Sequence, residues 1–379
     1  MTDSKKLASR YGLSFRRESC LAARSSPRAC SRCAEACPAR ALSVSERGVD
    51  LAHGCLGCGC CVAACPSGAL SAQGYRIPDR LLEGNHALTV ECWKVPPPLL
   101  AEGAHAVPCL GGLTAADLLE LVLAAGEGRS LVLMDRGGCA SCRAGGQAQP
   151  PVATQLEFVR HALTQLGWPQ QGLPALRCVP LPSPILPVEI PTPAEREAMG
   201  RRAFFRFLAG KAAEAATLEP PPCGSVRHGA RHGEQPFPER IRLLAALEKL
   251  AALRSIPLPD GLFPAVSVSG NCQNHGVCAG VCPTGALTGY KETEGAGVRF
   301  EPWLCVGCGL CARSCPEGAL DLSPVDGLGP SARIRLTRFP WRECPSCQTR
   351  FPSRDEGICP GCKRSRSLFD DLFGGKNHP

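Results

Sequence analysis

The run Cys55-Leu-Gly-Cys58-Gly-Cys-Cys61-Val-Ala-Ala-Cys65-Pro66 has the spacing C-x2-C-x2-C-x3-C-P, and Cys305, Cys308, Cys311 and Cys315 repeat it before Pro316. Three closely spaced thiolates can wrap one face of an iron–sulfur cubane. Small residues between them let backbone N–H groups approach the sulfides, which stabilises the charge added on reduction. A zinc knuckle fits the C-P ending poorly.

The chain holds 26 cysteines in 379 residues. Nine lie in 20–65, four in 92–142, seven in 272–315 and four in 344–362, while Cys178 and Cys223 stand alone. A disulfide scaffold would be short and secreted, whereas this chain is long and opens with Met-Thr-Asp-Ser-Lys-Lys, which is no apolar leader. No stretch is apolar enough to span a bilayer. A reducing, cytoplasmic setting with thiolates kept for metals is expected. Arg201-Arg202-Ala203-Phe204-Phe205-Arg206-Phe207-Leu208 resembles a twin-arginine export signal, but it sits mid-chain and a charged stretch follows. The formal charge of +8 counts lysines and arginines but no bound thiolates. Six thiolate-held metal sites would add about −11 and bring the loaded protein to roughly −3. The basic composition is therefore a poor argument for nucleic acid.

Upstream of the first run, Cys30-x2-Cys33-x3-Cys37-Pro38 supplies three of four ligand positions. The expected first position is Pro27, which cannot ligate, and Cys20 can reach in through the intervening loop. The fourth cysteine of such a run serves the neighbouring cluster. One [4Fe–4S] set is then Cys20, Cys30, Cys33 and Cys65, and the other is Cys37, Cys55, Cys58 and Cys61. Cys60 is left over as a small buried thiol. The runs continue as P-A-R-A-L-S-V and P-S-G-A-L-S-A. Residues 15–80 thereby resemble the bacterial dicluster ferredoxins, in which C-P-x-x-A-L turns from the cluster into a short helix and strand.

The second full run has the same continuation, P-E-G-A-L-D-L, and the segment before it reads Cys272-Gln-Asn-His275-Gly-Val-Cys278-Ala-Gly-Val-Cys282-Pro283. His275 stands at the second ligand position. Three readings stay open: His275 ligates iron, the site holds a [3Fe–4S] cluster, or another group completes the cluster. The sets are Cys272, His275, Cys278 and Cys315, then Cys282, Cys305, Cys308 and Cys311. One thiolate fewer makes the first cluster less negative and raises its potential.

Residues 88–182 alternate apolar strands with helices, which implies a small α/β domain around a parallel sheet. A-L-T-V-E-C-W, H-A-V-P-C-L-G-G-L and S-L-V-L-M-D read as strands. Cysteines at strand ends fall on the carboxyl edge, where sites form in such sheets. This stretch resembles the iron–sulfur delta subunit of methyl-viologen-reducing hydrogenases: a cysteine ends the first strand, V-x-C-x-G-x-[VL] opens a helix, and paired cysteines follow the next strand. The resemblance implies a [2Fe–2S] cluster on Cys92, Cys109, Cys139 and Cys142, although the last pair is closer here than is usual in that family. A zinc site and free or redox-active thiols are the other readings. A thioredoxin-like pair would open a helix, while Arg143-Ala-Gly-Gly argues for a loop.

Cys344-Pro-Ser-Cys347 and Cys359-Pro-Gly-Cys362 form two C-x2-C knuckles. They present four thiolates tetrahedrally, as in zinc ribbons and rubredoxins, with zinc favoured over iron. Residues 180–192 are proline-rich and extended. Helices are expected from Thr192 as N-cap with Pro193 at the first position, and over 238–253.

The expected fold is α+β multidomain: two ferredoxin-like dicluster modules, a small α/β domain between them and a C-terminal zinc ribbon. The segments are 1–82, 83–182, 183–260 (linker and helices), 261–338 and 339–379. No nucleotide fingerprint, Ser–His–Asp arrangement or paired-carboxylate site is present. The chain is expected to relay electrons to or from a molybdenum- or flavin-dependent oxidoreductase. The alternatives are thiol–disulfide or sulfur chemistry at Cys139 and Cys142, and a scaffold role using the ribbon.

Overall fold

The computed structural model describes residues 4–6, 12–24, 30–75, 87–145, 150–182, 186, 189–192, 194–196, 237–259, 261–323, 333–354 and 357–373. It divides into two compact units, Met1–Pro259 and Asp260–Pro379. Helices and several small sheets make it an α+β protein. Among the described residues no helix is long and apolar enough to cross a membrane.

In the first unit, β1 (Ser4–Lys6) and β2 (Ser14–Arg16) pair antiparallel, and the short helices α1 (Leu21–Arg24) and α2 (Arg32–Glu35) follow. Strands β3 (Leu42–Ser45) and β4 (Gly48–Leu51) form a hairpin, and after α3 (Cys60–Ala63) strand β5 (Leu70–Ser71) returns to β2. Leu13, Phe15, Leu42, Val49 and Leu70 form one small core into which Cys20, Cys33 and Cys61 are packed. Each large apolar side chain buried there contributes about 1.5–3 kcal/mol, so a core this small leaves much of the stability to whatever the cysteines hold.

The chain then builds β6 (Leu88–Cys92), β7 (His105–Val107), α4 (Ala115–Ala125), β8 (Leu131–Asp135), α5 (Ala153–Gln165) and β9 (Ala175–Cys178). The four strands are parallel in the order β7-β6-β8-β9. The chain leaves β6 on one side and comes back on the other, so the carboxyl end of β6 is the point where strand order reverses. The run from His105 to Leu113 gives only a three-residue strand. Pro108 has no N–H for the ladder, and Leu110–Gly112 coils into a 3-10 turn.

Helix α4 begins with a reciprocal cap between Thr114 and Asp117. Helix α6 (Pro238–Arg254) packs on it, and Arg242 reaches Asp117 at 2.7 Å, Glu120 at 2.6 Å and Glu239 at 3.0 Å. Thr192 and Glu195 form a second reciprocal cap, with the Glu195 N–H donating to Thr192 Oγ1 at 3.3 Å and the Thr192 N–H to Glu195 Oε2 at 2.8 Å. Pro193, the rest of the helix expected there, the twin-arginine-like segment and Cys223 lie outside the described residues.

The second unit runs β10 (Ala265–Val268), α7 (Val277–Val281), the hairpin β11 (Leu287–Glu292) and β12 (Gly295–Phe300), α8 (Leu310–Arg313) and β13 (Leu320–Ser323), which closes on β10. The plan is that of the first module, with an outer strand pair, two short helices and an inner hairpin. Beyond it, β14 (Ile334–Arg335) and β15 (Phe339–Glu343) both pair with β12, β16 (Arg350–Pro352) pairs with β15, and α9 (Pro360–Phe373) follows. One sheet therefore runs from the cluster-type module into the C-terminal knuckles. Thr337 pins it: its carbonyl accepts from Tyr290 Oη at 2.7 Å, and its hydroxyl accepts from the Val298 N–H at 3.0 Å.

Candidate metal centres

One backbone turn recurs four times. Cys37, Cys65, Cys282 and Cys315 each precede a proline, and the third residue after each is left-handed: Arg40 (φ 50°), Gly68 (65°), Gly285 (71°) and Gly318 (56°). The turn swings later N–H groups back onto sulfur. Ala41 N–H donates to Cys37 Sγ at 3.3 Å, Leu287 N–H to Cys282 Sγ at 3.4 Å and Ala319 N–H to Cys315 Sγ at 3.4 Å. The hydroxyls of Ser67 and Thr284 lie 3.6 Å from Cys65 Sγ and Cys282 Sγ. Donors aimed at sulfur stabilise thiolate and shape cluster potential.

A second turn recurs within the runs. Gly57, Asn274 and Gly307 are left-handed, with φ of 68°, 57° and 61°. Asn274 N–H donates to Cys272 Sγ and Gly307 N–H to Cys305 Sγ, each at 3.5 Å. Asparagine is among the few side-chain-bearing residues that adopt this conformation readily. His275 thus occupies the backbone register of Cys58 and Cys308. Its Nδ1 lies 3.9 Å from Glu317 Oε1, with the imidazole 42% exposed.

The cysteines gather in sets. Burial first, and then the neighbouring charge of Cys65, push up the thiols of Cys20, Cys30 and Cys33, the last to about 12. Cys20 therefore stands beside Cys30, Cys33 and Cys65, although Pro27 occupies the motif position. Cys37, Cys55, Cys58 and Cys61 line one apolar cavity with Leu13 and Leu42. In the second unit, burial and then Cys272 and Cys315 push up Cys278. Burial and then Cys282, Cys305 and Cys308 push Cys311 up to about 12. Mutually repelling thiolates in apolar surroundings need a cationic core between them, and the residues present fit cubane clusters. Cys60 is a free, buried thiol, and its hydrogen bond to Cys58 lowers the Cys58 thiol and raises its own.

Cys92, Cys109, Cys139 and Cys142 line a second apolar cavity, at the carboxyl end of β6 and β8. Three cysteine-bearing segments distant in sequence meet there because the sheet reverses its strand order. Burial is the main cause that raises the thiols of Cys92, Cys109 and Cys139, with Asp135 adding to it at Cys139. Cations surround the site. Lys94 Nζ lies 3.7 Å from Cys142 Sγ, and Arg196, which donates to the Trp93 carbonyl at 3.0 Å and to the Val95 carbonyl, is charge-coupled to Cys92. The Cys139–Cys142 segment is a turn. Neither Lys94 nor Arg196 stands out in the sequence: a lysine two residues past a cysteine is a weak signal, and Arg196 is about a hundred residues away.

At the C-terminus the sulfurs of Cys344, Cys347, Cys359 and Cys362 all lie within 4.8 Å of one another. The Cys344–Cys362 and Cys347–Cys359 separations are 3.9 and 3.7 Å. One ion with metal–sulfur bonds of about 2.3 Å sets tetrahedral sulfurs roughly 3.8 Å apart, so this cluster fits a single metal ion. The backbone N–H of Cys359 donates to Cys344 Sγ at 3.3 Å and is the main cause that holds that thiol down at about 6.

Residues 270–319 match the family model of the 4Fe-4S dicluster domain. No curated protein matches the chain. The matched segment carries the turns and N–H···S bonds described above, with His275 inside it. With these cysteines, the chain is an iron–sulfur electron-transfer protein containing a ferredoxin-type module for [4Fe–4S] clusters.

Proposed function

We propose that this protein is a multi-cluster relay that passes single electrons to or from a catalytic redox partner, a molybdenum- or flavin-dependent oxidoreductase, in the cytoplasm. Two dicluster modules would hold [4Fe–4S] clusters on Cys20/Cys30/Cys33/Cys65, Cys37/Cys55/Cys58/Cys61, Cys272/His275/Cys278/Cys315 and Cys282/Cys305/Cys308/Cys311. The middle domain, like the hydrogenase delta subunit it resembles, would hold a [2Fe–2S] cluster on Cys92, Cys109, Cys139 and Cys142. The C-terminal knuckles would hold zinc in a ribbon with a structural or docking role. The clusters supply the redox chemistry, and the chain positions them, excludes water and aims N–H donors and cations at the sulfurs.

The observation that carries this reading is the turn repeated after Cys37, Cys65, Cys282 and Cys315, because it sets the same local backbone after the two C-P pairs of the first unit as after those inside the matched segment 270–319. Sulfur chemistry at Cys139 and Cys142 is the weaker reading, and Cys139 is the member that argues against it. Burial and Asp135 push that thiol up, whereas a nucleophilic cysteine needs it lowered. Metal and sulfide analysis with EPR on anaerobically purified protein tests the proposal. About sixteen cubane irons, about two more in the middle site and one zinc are expected. Colourless protein from a strictly anaerobic preparation would refute it.

A further inference from the structure

Within the first unit the linings of the two cysteine-lined cavities meet where Cys58 and Cys109 belong to one buried cluster. Tyr75 is buried, 7% exposed, between them. Its one hydroxyl proton is shared between two acceptors, the carbonyl of Cys58 at 2.9 Å and that of Cys109 at 3.2 Å. Cys58 lines one cavity and Cys109 the other.

The seam is shaped around this phenol. A Cβ on Gly59 would lie 2.5 Å from Tyr75 Oη, and one on Gly112 would overlap the same oxygen. A Cβ on Gly111 would stand 3.0 Å from Cys60 Sγ. Cys58, Cys60, Trp93, Cys109, Ala144 and Ile190 form one buried apolar cluster that joins the two sites. Gln155 Nε2 donates to the Ala63 carbonyl at 3.2 Å and ties α5 to α3 on the same side.

We infer that Tyr75 is a positioning residue that couples the cluster site of Cys37, Cys55, Cys58 and Cys61 to the site of Cys92, Cys109, Cys139 and Cys142, so that an electron passes directly between them. The inference rests on the relay reading. Electron tunnelling falls steeply with distance and is carried better by bonds and hydrogen bonds than through a gap. One hydroxyl bonded to the backbone of a ligand residue on each side gives a short bonded route. The step moves one electron and no atoms: one cluster is oxidised, the other reduced, and Tyr75 keeps its proton. An external one-electron donor supplies the electron.

The test uses full-length, anaerobically purified protein. Fully reduced with dithionite, the wild type should show spin–spin interaction between the two clusters in EPR; its absence overturns the inference without any variant. In Tyr75→Phe, with iron, sulfide and the separate g-values retained, flash-photoreduced transfer between the clusters should slow severalfold, because a bonded bridge is replaced by a through-space gap. Gly112→Ala, which pushes the phenol aside, should reproduce the loss. Unchanged transfer in both variants would defeat the coupling role and leave the relay reading standing. If Cys109→Ser leaves the iron content and spectrum unchanged, the middle site is not a cluster, and both readings of it fall.

Discussion

Lys94 places its ammonium 3.7 Å from the sulfur of Cys142, and the lysine is 8% exposed. A buried cation beside a ligand thiolate stabilises the electron-rich, reduced state of whatever that thiolate binds. Lys94→Met should lower the midpoint potential of the cluster proposed for Cys92, Cys109, Cys139 and Cys142 by roughly 60 mV, the one-electron equivalent of about 1.4 kcal/mol. Potentiometric EPR on both proteins measures the shift, and an unchanged potential would remove Lys94 from the account.

His275 sits in the register of Cys58 and Cys308, on a left-handed Asn274 that mimics Gly57 and Gly307. The cluster beside it should have the highest potential of the four in the dicluster modules. His275→Cys should lower that potential by roughly 100 mV or more, since imidazole-for-thiolate exchange at iron–sulfur centres shifts potentials by several hundred millivolts. If the site holds [3Fe–4S], the same variant should also raise the iron count by one per chain. Four equally low potentials in the wild type would contradict the prediction.

Arg40 takes the left-handed turn position that glycine holds after Cys65, Cys282 and Cys315, and its side chain is exposed. A side chain costs about 1–2 kcal/mol there, against an entropic cost of about 0.5–1 kcal/mol for glycine. Arg40→Gly should stabilise the first module by about 1 kcal/mol or less. Thermal bleaching of cluster absorbance would shift upward; a downward shift would mean that Arg40 makes a contact the turn argument omits.

The knuckle cysteines should release their ion in acid. Cys344 is held below its usual value of 9.0, at about 6, chiefly by the Cys359 N–H. For a depressed group, the stabilisation is fully present above the ordinary value and is lost as pH falls through the lowered one. Metal affinity should weaken as pH falls below about 6, where Cys344 of the empty site takes up its proton, with release read by a zinc-sensitive dye. Cys347→Ser should remove that one ion while the cubane iron stays.

Much of this protein was legible from spacing alone. The sheet of the middle domain is parallel and the four cysteines after residue 343 converge. These features are local, so short-range intervals and apolar runs carry them. The short helix expected after each C-P lies instead before the last cysteine of the run, and the C-P turn leads directly into a strand. The short β7 was not foreseen, because Pro108 ends the strand inside an apolar run.

What the residues by themselves determined is the kind of chemistry: thiols at fixed short intervals, with small residues between, can grip metal in few ways. Only the tertiary structure decided which distant groups share a site. It brings Cys20 to Cys65 across the gap left by Pro27, sets Lys94 and Arg196 around Cys92 and Cys142, and threads Tyr75 between Cys58 and Cys109. Those pairings depend on how strand order and packing fold the chain back on itself, and no short-range interval encodes them.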